Sequence, residues 1–228
     1  MVSYGIMKIA THNTEFLFDI GEHTYGGKTW THTPEFVAAR VRLFGNLFRE
    51  IDADILLLQE VGQESVVHKI ISESAIPYSA FFGAPDISNV RNAILWRGTE
   101  GQAESIPAFA SLPVFNEGDA DILGSRMYSR RDFVHLRTMH NGKKLHVFSI
   151  HLKSNFLNPE ILKDGTKRPM KTQTELADGI IRSDFFRLSQ AKKLRQILDQ
   201  IFTEDPDAEV IVGGDFNDVE INSTVGIV

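Results

Sequence analysis

Apolar and polar positions alternate along the chain in two rhythms. Between Pro34 and Ile51, the residues Val37, Val41, Phe44, Phe48 and Ile51 recur every three or four positions, which puts them on one helical face. Thr33 followed by Pro34 supplies a side-chain cap and a first-turn proline, so the helix is expected to begin there. Leu188, Ala191, Leu194, Leu198 and Ile201 form a second stripe over Asp184–Phe202, and Val66, Val67, Ile70 and Ile71 a shorter one over Gln63–Ser74. Runs of strand length lie between them: Ile6–His12, Asp54–Leu58, Tyr78–Phe82, Ala93–Trp96, Arg131–Met139, Leu145–His151 and Glu209–Gly213. Asn141-Gly142 separates two of these runs and predicts a tight hairpin, so part of the sheet is antiparallel. The mixture predicts two sheets face to face with helices outside, in a single domain spanning residues 1–228. Two connections are long. Thr14–Thr33 is rich in aromatic residues and glycine, and Ser154–Arg182 is polar and basic. Loops of that length usually carry function.

Composition narrows the picture. With 42% hydrophobic and 24% charged residues the chain has the make-up of a globular protein with a sizeable core. The absence of cysteine excludes disulfides, zinc–thiolate sites and thiol nucleophiles. No apolar run reaches the ~20 residues needed to span a bilayer, and no secretory signal is visible, so a cytoplasmic protein is expected. A net charge of −6 speaks against a protein that coats nucleic acid.

The strand ends carry the chemistry. Four short apolar runs stop at polar residues: Ile6–His12 at Asn13, Asp54–Leu58 at Gln59-Glu60, Leu145–Ile150 at His151, and Val210–Gly214 at Asp215-Phe216-Asn217. Neighbouring strands would gather these side chains at one sheet edge, where ligands commonly bind. Two carboxylates and two amides offer oxygen donors that suit Mg²⁺ or Mn²⁺. An imidazole beside them exchanges protons near neutral pH. Each residue alone has an ordinary role as a turn, a cap or a core histidine, and only the combination points to metal-assisted attack of water on a phosphate ester. His12 should face away from Asn13, because strand neighbours alternate.

In these segments the sequence resembles the endonuclease/exonuclease/phosphatase superfamily, whose fold is deoxyribonuclease I-like. The resemblance rests on Ala10-Thr11-His12-Asn13, Asp54 to Val61, Asn92 to Trp96, Phe148 to Ser154 and Gly213 to Asp218, in the family's order. It implies an α+β fold, a four-layer α/β/β/α sandwich of two mostly antiparallel sheets. It further implies Glu60 as the main metal ligand and Asn13 as a support of the metal site or an orienter of the phosphate. His151 would bind phosphate and act as general acid, Asp215 would position or activate water or help hold the metal, and Asn217 would stabilise the transition state. Arg131, Lys153 and Ser154 would contact substrate. The activity implied is a Mg²⁺- or Mn²⁺-dependent phosphoesterase, with a nuclease on DNA or RNA as the leading subtype.

The family closes with an Asp-His pair beyond the Asp-Phe-Asn segment, and none follows Asp215 here. The expectation is therefore a chain lacking the family's last strands, either truncated or naturally short. A phosphomonoesterase, a lipid-headgroup phosphodiesterase and a non-catalytic binding module stay open as alternatives. Between Lys153 and Arg195, ten basic residues stand against five acidic ones, including Lys163, Lys167, Arg168 and Lys171, and Arg126, Arg130 and Arg131 form a second cluster. Such a surface could follow a polyanion or could be an ordinary solvated face. Aromatic residues of Thr14–Thr33 could stack on bases, pack locally or meet a lipid headgroup.

Overall fold

Along the segment Ile55–Val61, Leu56, Leu58 and Val61 join one hydrophobic core while Ile55 and Leu57 join another. A strand buried on both faces in this way must sit between two layers. The computed structural model describes residues 6–25, 28–86, 88–98, 100–108, 131–154 and 170–218. They belong to two compact units. One comprises Met1–Pro107, Arg131–His151 and Asp207–Asp215, and the other Ala108–Arg130, Leu152–Pro206 and Phe216–Val228.

Among the described residues, the first unit holds ten strands and two helices. In chain order they are β1 (Ile9–Leu17), β2 (Gly21–Tyr25), β3 (Lys28–His32), α1 (Pro34–Ile51), β4 (Ile55–Val61), α2 (Glu64–Ser74), β5 (Tyr78–Phe82), β6 (Arg91–Arg97), β7 (Gln102–Ile106), β8 (Phe133–His140), β9 (Lys143–His151) and β10 (Glu209–Asp215). One sheet has the order β1-β4-β6-β5 and the other β10-β9-β8-β7. In each, the first-named pair is parallel and the other two are antiparallel. Ile55, Leu57, Ile94, Val134, Leu136, Leu145 and Val147 fill the space between the sheets. Val37, Phe44 and Phe48 of α1 and Val66, Val67 and Ile70 of α2 pack with Leu56, Leu58 and Leu95 on the far side of the first sheet. The second unit contains α3, Gln173–Glu204.

Helix α1 has the predicted bounds. Its Thr33 hydroxyl accepts from the Phe36 amide at 3.3 Å. Other elements differ from expectation. Strands β1 and β4 do not stop at their polar residues but run through Asn13 and Glu60 to Leu17 and Val61. Thr14–Thr33 is not a loop. It contains the end of β1 and the hairpin β2–β3. Strand β7 carries no apolar alternation and was not anticipated. Helix α3 starts well before Asp184, at a capping box in which Thr172 and Glu175 bond each other's backbone. Lys163, Lys167 and Arg168 of the basic segment, with Arg126 and Arg130, lie outside the described residues.

Candidate active site

Glu60 owes its position to a defect in the ladder. The pairing of β4 with β6 jumps from Leu58↔Ala93 to Val61↔Arg91, and that of β1 with β4 from Asn13↔Gln59 to Leu17↔Val61. Leu58 and Val61 therefore face the same core although three positions separate them. Glu60 absorbs the extra step with φ +60°, in the left-handed region. A bulge of this kind re-aims one side chain without disturbing its neighbours. Opposite Glu60, three residues of β1 (Thr14, Glu15 and Phe16) occupy the space of one.

Strand alternation supplies the other groups. Asn13 faces the inter-sheet side, and its amide donates to Asp215 Oδ2 at 3.1 Å. His12 turns away, edge-on to Phe44 at 5.4 Å between ring centres. In the second sheet His151 pairs with Asp215 across the parallel β9–β10 ladder. The His151 Nε2 lies 3.6 Å from Asp215 Oδ2 and 3.8 Å from Glu60 Oε1. Arg131 completes the group. Its Nη1 stands 3.5 Å from Glu60 Oε1 and donates to the His151 ring, and its Nε meets Asp86 Oδ2 at 3.0 Å. Asn13, Glu60, Arg131, His151 and Asp215 are thus brought together from five stretches of sequence.

Burial pushes the Glu60 carboxyl above the usual range. The Arg131 charge and hydrogen bonds from the Asn13 side chain and the Phe16 backbone oppose this, while the Asp215 charge adds to it. A cation at this position would relieve that cost. Among the described residues no group of three or more His, Asp or Glu forms a ready metal cage. The donors nevertheless fit a hard ion. Mg²⁺ is commonly held by one or two carboxylates, with water and substrate phosphate filling the remaining positions. Glu60 and Asp215 are such a pair.

Beneath these residues a polar bridge joins the sheets. Thr11 Oγ1 donates to Gln59 Oε1 at 3.3 Å, and Gln59 Nε2 donates to Ser149 Oγ at 3.2 Å. Arg131 is held by supports to which the sequence reading gave no role. Asp86 accepts from the amides of Ser88 and Val90, and so is fixed before it meets Arg131. Buried Asn92 donates to the Asp132 carbonyl at 2.8 Å, anchoring the residue next to Arg131. Asp86 and Arg131 are 45 residues apart in the chain, so no local pattern signals the pair.

Lys153, Ser154 and Asn217 belong to the second unit. The Lys153 amide donates to Gln190 Oε1 at 2.7 Å, and its carbonyl accepts from Arg187 at 3.1 Å. Its ammonium donates to the Ser154 carbonyl at 2.7 Å. Asn217, at φ +51°, donates to the Leu152 carbonyl at 3.0 Å.

The sequence profile of the Endonuclease/Exonuclease/phosphatase family matches residues 10–224. The chain belongs to the endonuclease/exonuclease/phosphatase family. No curated protein sequence matches this family member. Among solved structures it is similar to a beta toxin from Staphylococcus aureus (TM-score 0.56, 16% identity, covering 97% of this chain and 70% of that one). It is also similar to D. rerio TDP2 complexed with a single strand DNA product (TM-score 0.52, 18% identity, 96% and 63%). A truncated Caenorhabditis elegans TDP2 is a third match (TM-score 0.52, 16% identity, 82% and 58%). The chain spans less than two thirds of either TDP2 structure. At these identities the likeness is one of fold, and the fold is deoxyribonuclease I-like. This family hydrolyses phosphoesters, and its members are generally dependent on a divalent metal. Among the described residues no helix is long and apolar enough to cross a membrane.

Proposed function

We propose that this protein is a Mg²⁺- or Mn²⁺-dependent phosphodiesterase acting on nucleic acid. The observation that carries the reading is the convergence of Glu60 and Asp215 on His151 Nε2, within 4 Å, with the Arg131 guanidinium beside them. Glu60 would hold the ion, which when bound neutralises phosphate charge and polarises a P–O bond. Arg131 pairs with the phosphate oxygens through its fork of donors, a geometry suited to phosphate. Asp215, oriented by Asn13, accepts a proton from the attacking water as that oxygen bonds to phosphorus. His151 gives a proton to the leaving oxygen as the opposite P–O bond breaks, yielding a phosphomonoester and an alcohol. For Asn217 the family resemblance alone implies the hydrogen bond that stabilises the charged transition state, and for Lys153 and Ser154 substrate contacts.

Two features favour nucleic acid. Trp30, 55% exposed on β3, offers a flat face for a base. The hairpin that carries it is rooted next to Glu60, because the Phe18 ring lies against Gly62 and the Gly62 amide bonds the Leu17 carbonyl at 3.0 Å. In addition, a structure of the same fold, D. rerio TDP2, holds a single strand DNA product.

The test compares labelled single-stranded DNA, plasmid DNA and p-nitrophenyl phosphate with Mg²⁺, Mn²⁺ or EDTA. Metal-dependent cleavage of DNA is expected, falling on the order of 100-fold or more in Glu60→Ala and in Asp215→Ala. Rates unchanged by EDTA, or by both substitutions, would defeat the reading. Cleavage confined to the monoester would replace it with a phosphomonoesterase.

A further inference from the structure

Arg40 sits where a charge is costly. It lies one turn from both Val37 and Phe44 on α1, beside the apolar stripe that packs on the first sheet. Its guanidinium lies 5.9 Å from the centre of the Phe36 ring and 5.5 Å from that of Phe44. Burial pulls its pKa down from the ordinary value. The guanidinium donors go to main-chain oxygens. They reach the Phe16 and Glu15 carbonyls, each at 3.2 Å, and the Thr14 carbonyl.

Those three carbonyls belong to the three bulged residues of β1 that lie opposite Glu60. Glu15 and Phe16 both have positive φ, 48° and 55°. Side chains rarely adopt this conformation in succession unless their surroundings impose it. Leaving the ladder also turns their carbonyls to other donors, and that of Phe16 accepts from the Phe18 amide at 2.9 Å as well. Arg40 reaches all three from one planar fork. Other bonds close the bulge from the opposite side. Asn13 Oδ1 accepts from the Glu15 amide at 3.0 Å, and Thr14 Oγ1 donates to the Gln59 carbonyl at 2.8 Å. The consequence falls on Glu60, whose carboxylate takes a hydrogen bond from the Phe16 backbone.

We propose that Arg40 is a positioning residue of the phosphoesterase site: it clamps the three-residue bulge of β1 so that the Phe16 N–H and the Asn13 amide hold the Glu60 carboxylate in place for a divalent cation. The proposal rests on the reading of Glu60 as the principal ligand. It makes an α1 residue that touches neither substrate nor ion a determinant of metal affinity. Groups that orient a metal ligand typically cost 10–100-fold in affinity when removed.

The test titrates Mn²⁺ calorimetrically into wild type, Arg40→Lys, Arg40→Ala and Glu60→Gln, with circular dichroism to establish folding. Hydrogen exchange at the Phe16 amide is followed in parallel. Lysine keeps the charge but cannot fork across three carbonyls. The expected result is a folded Arg40→Lys protein whose Mn²⁺ affinity is roughly 10–100-fold weaker and whose Phe16 amide exchanges faster. Where Arg40→Ala fails to fold, Arg40→Lys decides. Wild-type affinity and Phe16 protection in a folded Arg40→Lys protein would overturn the inference, whatever its melting temperature, and would leave Glu60 as ligand. Mn²⁺ binding by wild type that survives in Glu60→Gln would overturn the reading of the site and this inference with it.

Discussion

Glu60 shows most directly how a site costs stability. Its backbone takes a left-handed conformation and its carboxyl is buried, with the Asp215 charge adding to the cost of ionisation. A carboxyl whose folded pKa is raised disfavours the folded state above that pKa, because the unfolded chain ionises more easily. Glu60→Gln keeps the shape and a hydrogen-bond acceptor while removing the charge. In EDTA near pH 7.5 this variant is expected to melt a few degrees higher than wild type. Added Mg²⁺ or Mn²⁺ should then raise the melting temperature of wild type and leave the variant unmoved, since only an ion bound to the native state stabilises it. Equal metal-induced shifts in the two proteins would remove Glu60 from the ion's coordination.

At the scale of elements, the two parallel pairs β1–β4 and β9–β10 place the site, and the second depends on one glycine. Gly214 has φ +145°, and a Cβ built there would stand 2.0 Å from the Ile150 carbonyl oxygen. No rotamer can relieve a contact with main chain. Gly214→Ala must therefore push β10 away from β9 just before Asp215, whose ladder partner is His151. A destabilisation of about 2–4 kcal/mol is expected by urea unfolding, together with loss of hydrolysis. A variant of wild-type stability and activity would show that the ladder tolerates the shift. Legibility from sequence divides along similar lines. Helix α1 was readable because its stripe and its Thr33-Pro34 start act within a few residues. The strand-end polar residues were readable because apolar runs make them conspicuous. The bulges were not, since a bulge breaks the very period-two pattern by which strands are found. Strand β7, Gln-Ala-Glu-Ser-Ile, is a sheet edge with no apolar run to signal it. Asp86 and Arg40 act on partners far away in the chain, and no local pattern encodes such pairings.

For the molecule as a whole, the buried and half-buried histidines among the described residues predict an acid sensitivity. His135 stacks on Phe148 at 4.2 Å and bonds Glu104 at 3.1 Å and His146 at 3.0 Å. Burial pulls its pKa from 6.5 down to about 4, with the Glu104 bond opposing and His146 assisting. His12 and His32 are lowered as well, again chiefly by burial. A histidine with a depressed folded pKa leaves the unfolded state to take up protons first. Stability is then full above pH 6.5 and falls as the pH drops toward 4. The shift at His135 alone is worth at most roughly 3 kcal/mol. The depressed carboxyls Asp19 and Asp52 lose their contribution only at more acid pH, below their ordinary 3.8. The raised carboxyls Glu60 and Asp132 work in the opposite sense, since protonation relieves their burial. Glu35, depressed from 4.5, begins to lose its contribution near the acid end of this window, so among the described residues the histidines are the groups that destabilise between pH 6.5 and about 5. Urea unfolding at pH 7.5, 6.5, 5.5 and 4.5 should show stability declining in wild type and a shallower decline in His135→Gln, whose amide can still meet Glu104 and His146. The slope is the readout, because the substitution also loses the stacking on Phe148 and lowers stability at every pH. Parallel declines in the two proteins would assign the acid sensitivity elsewhere.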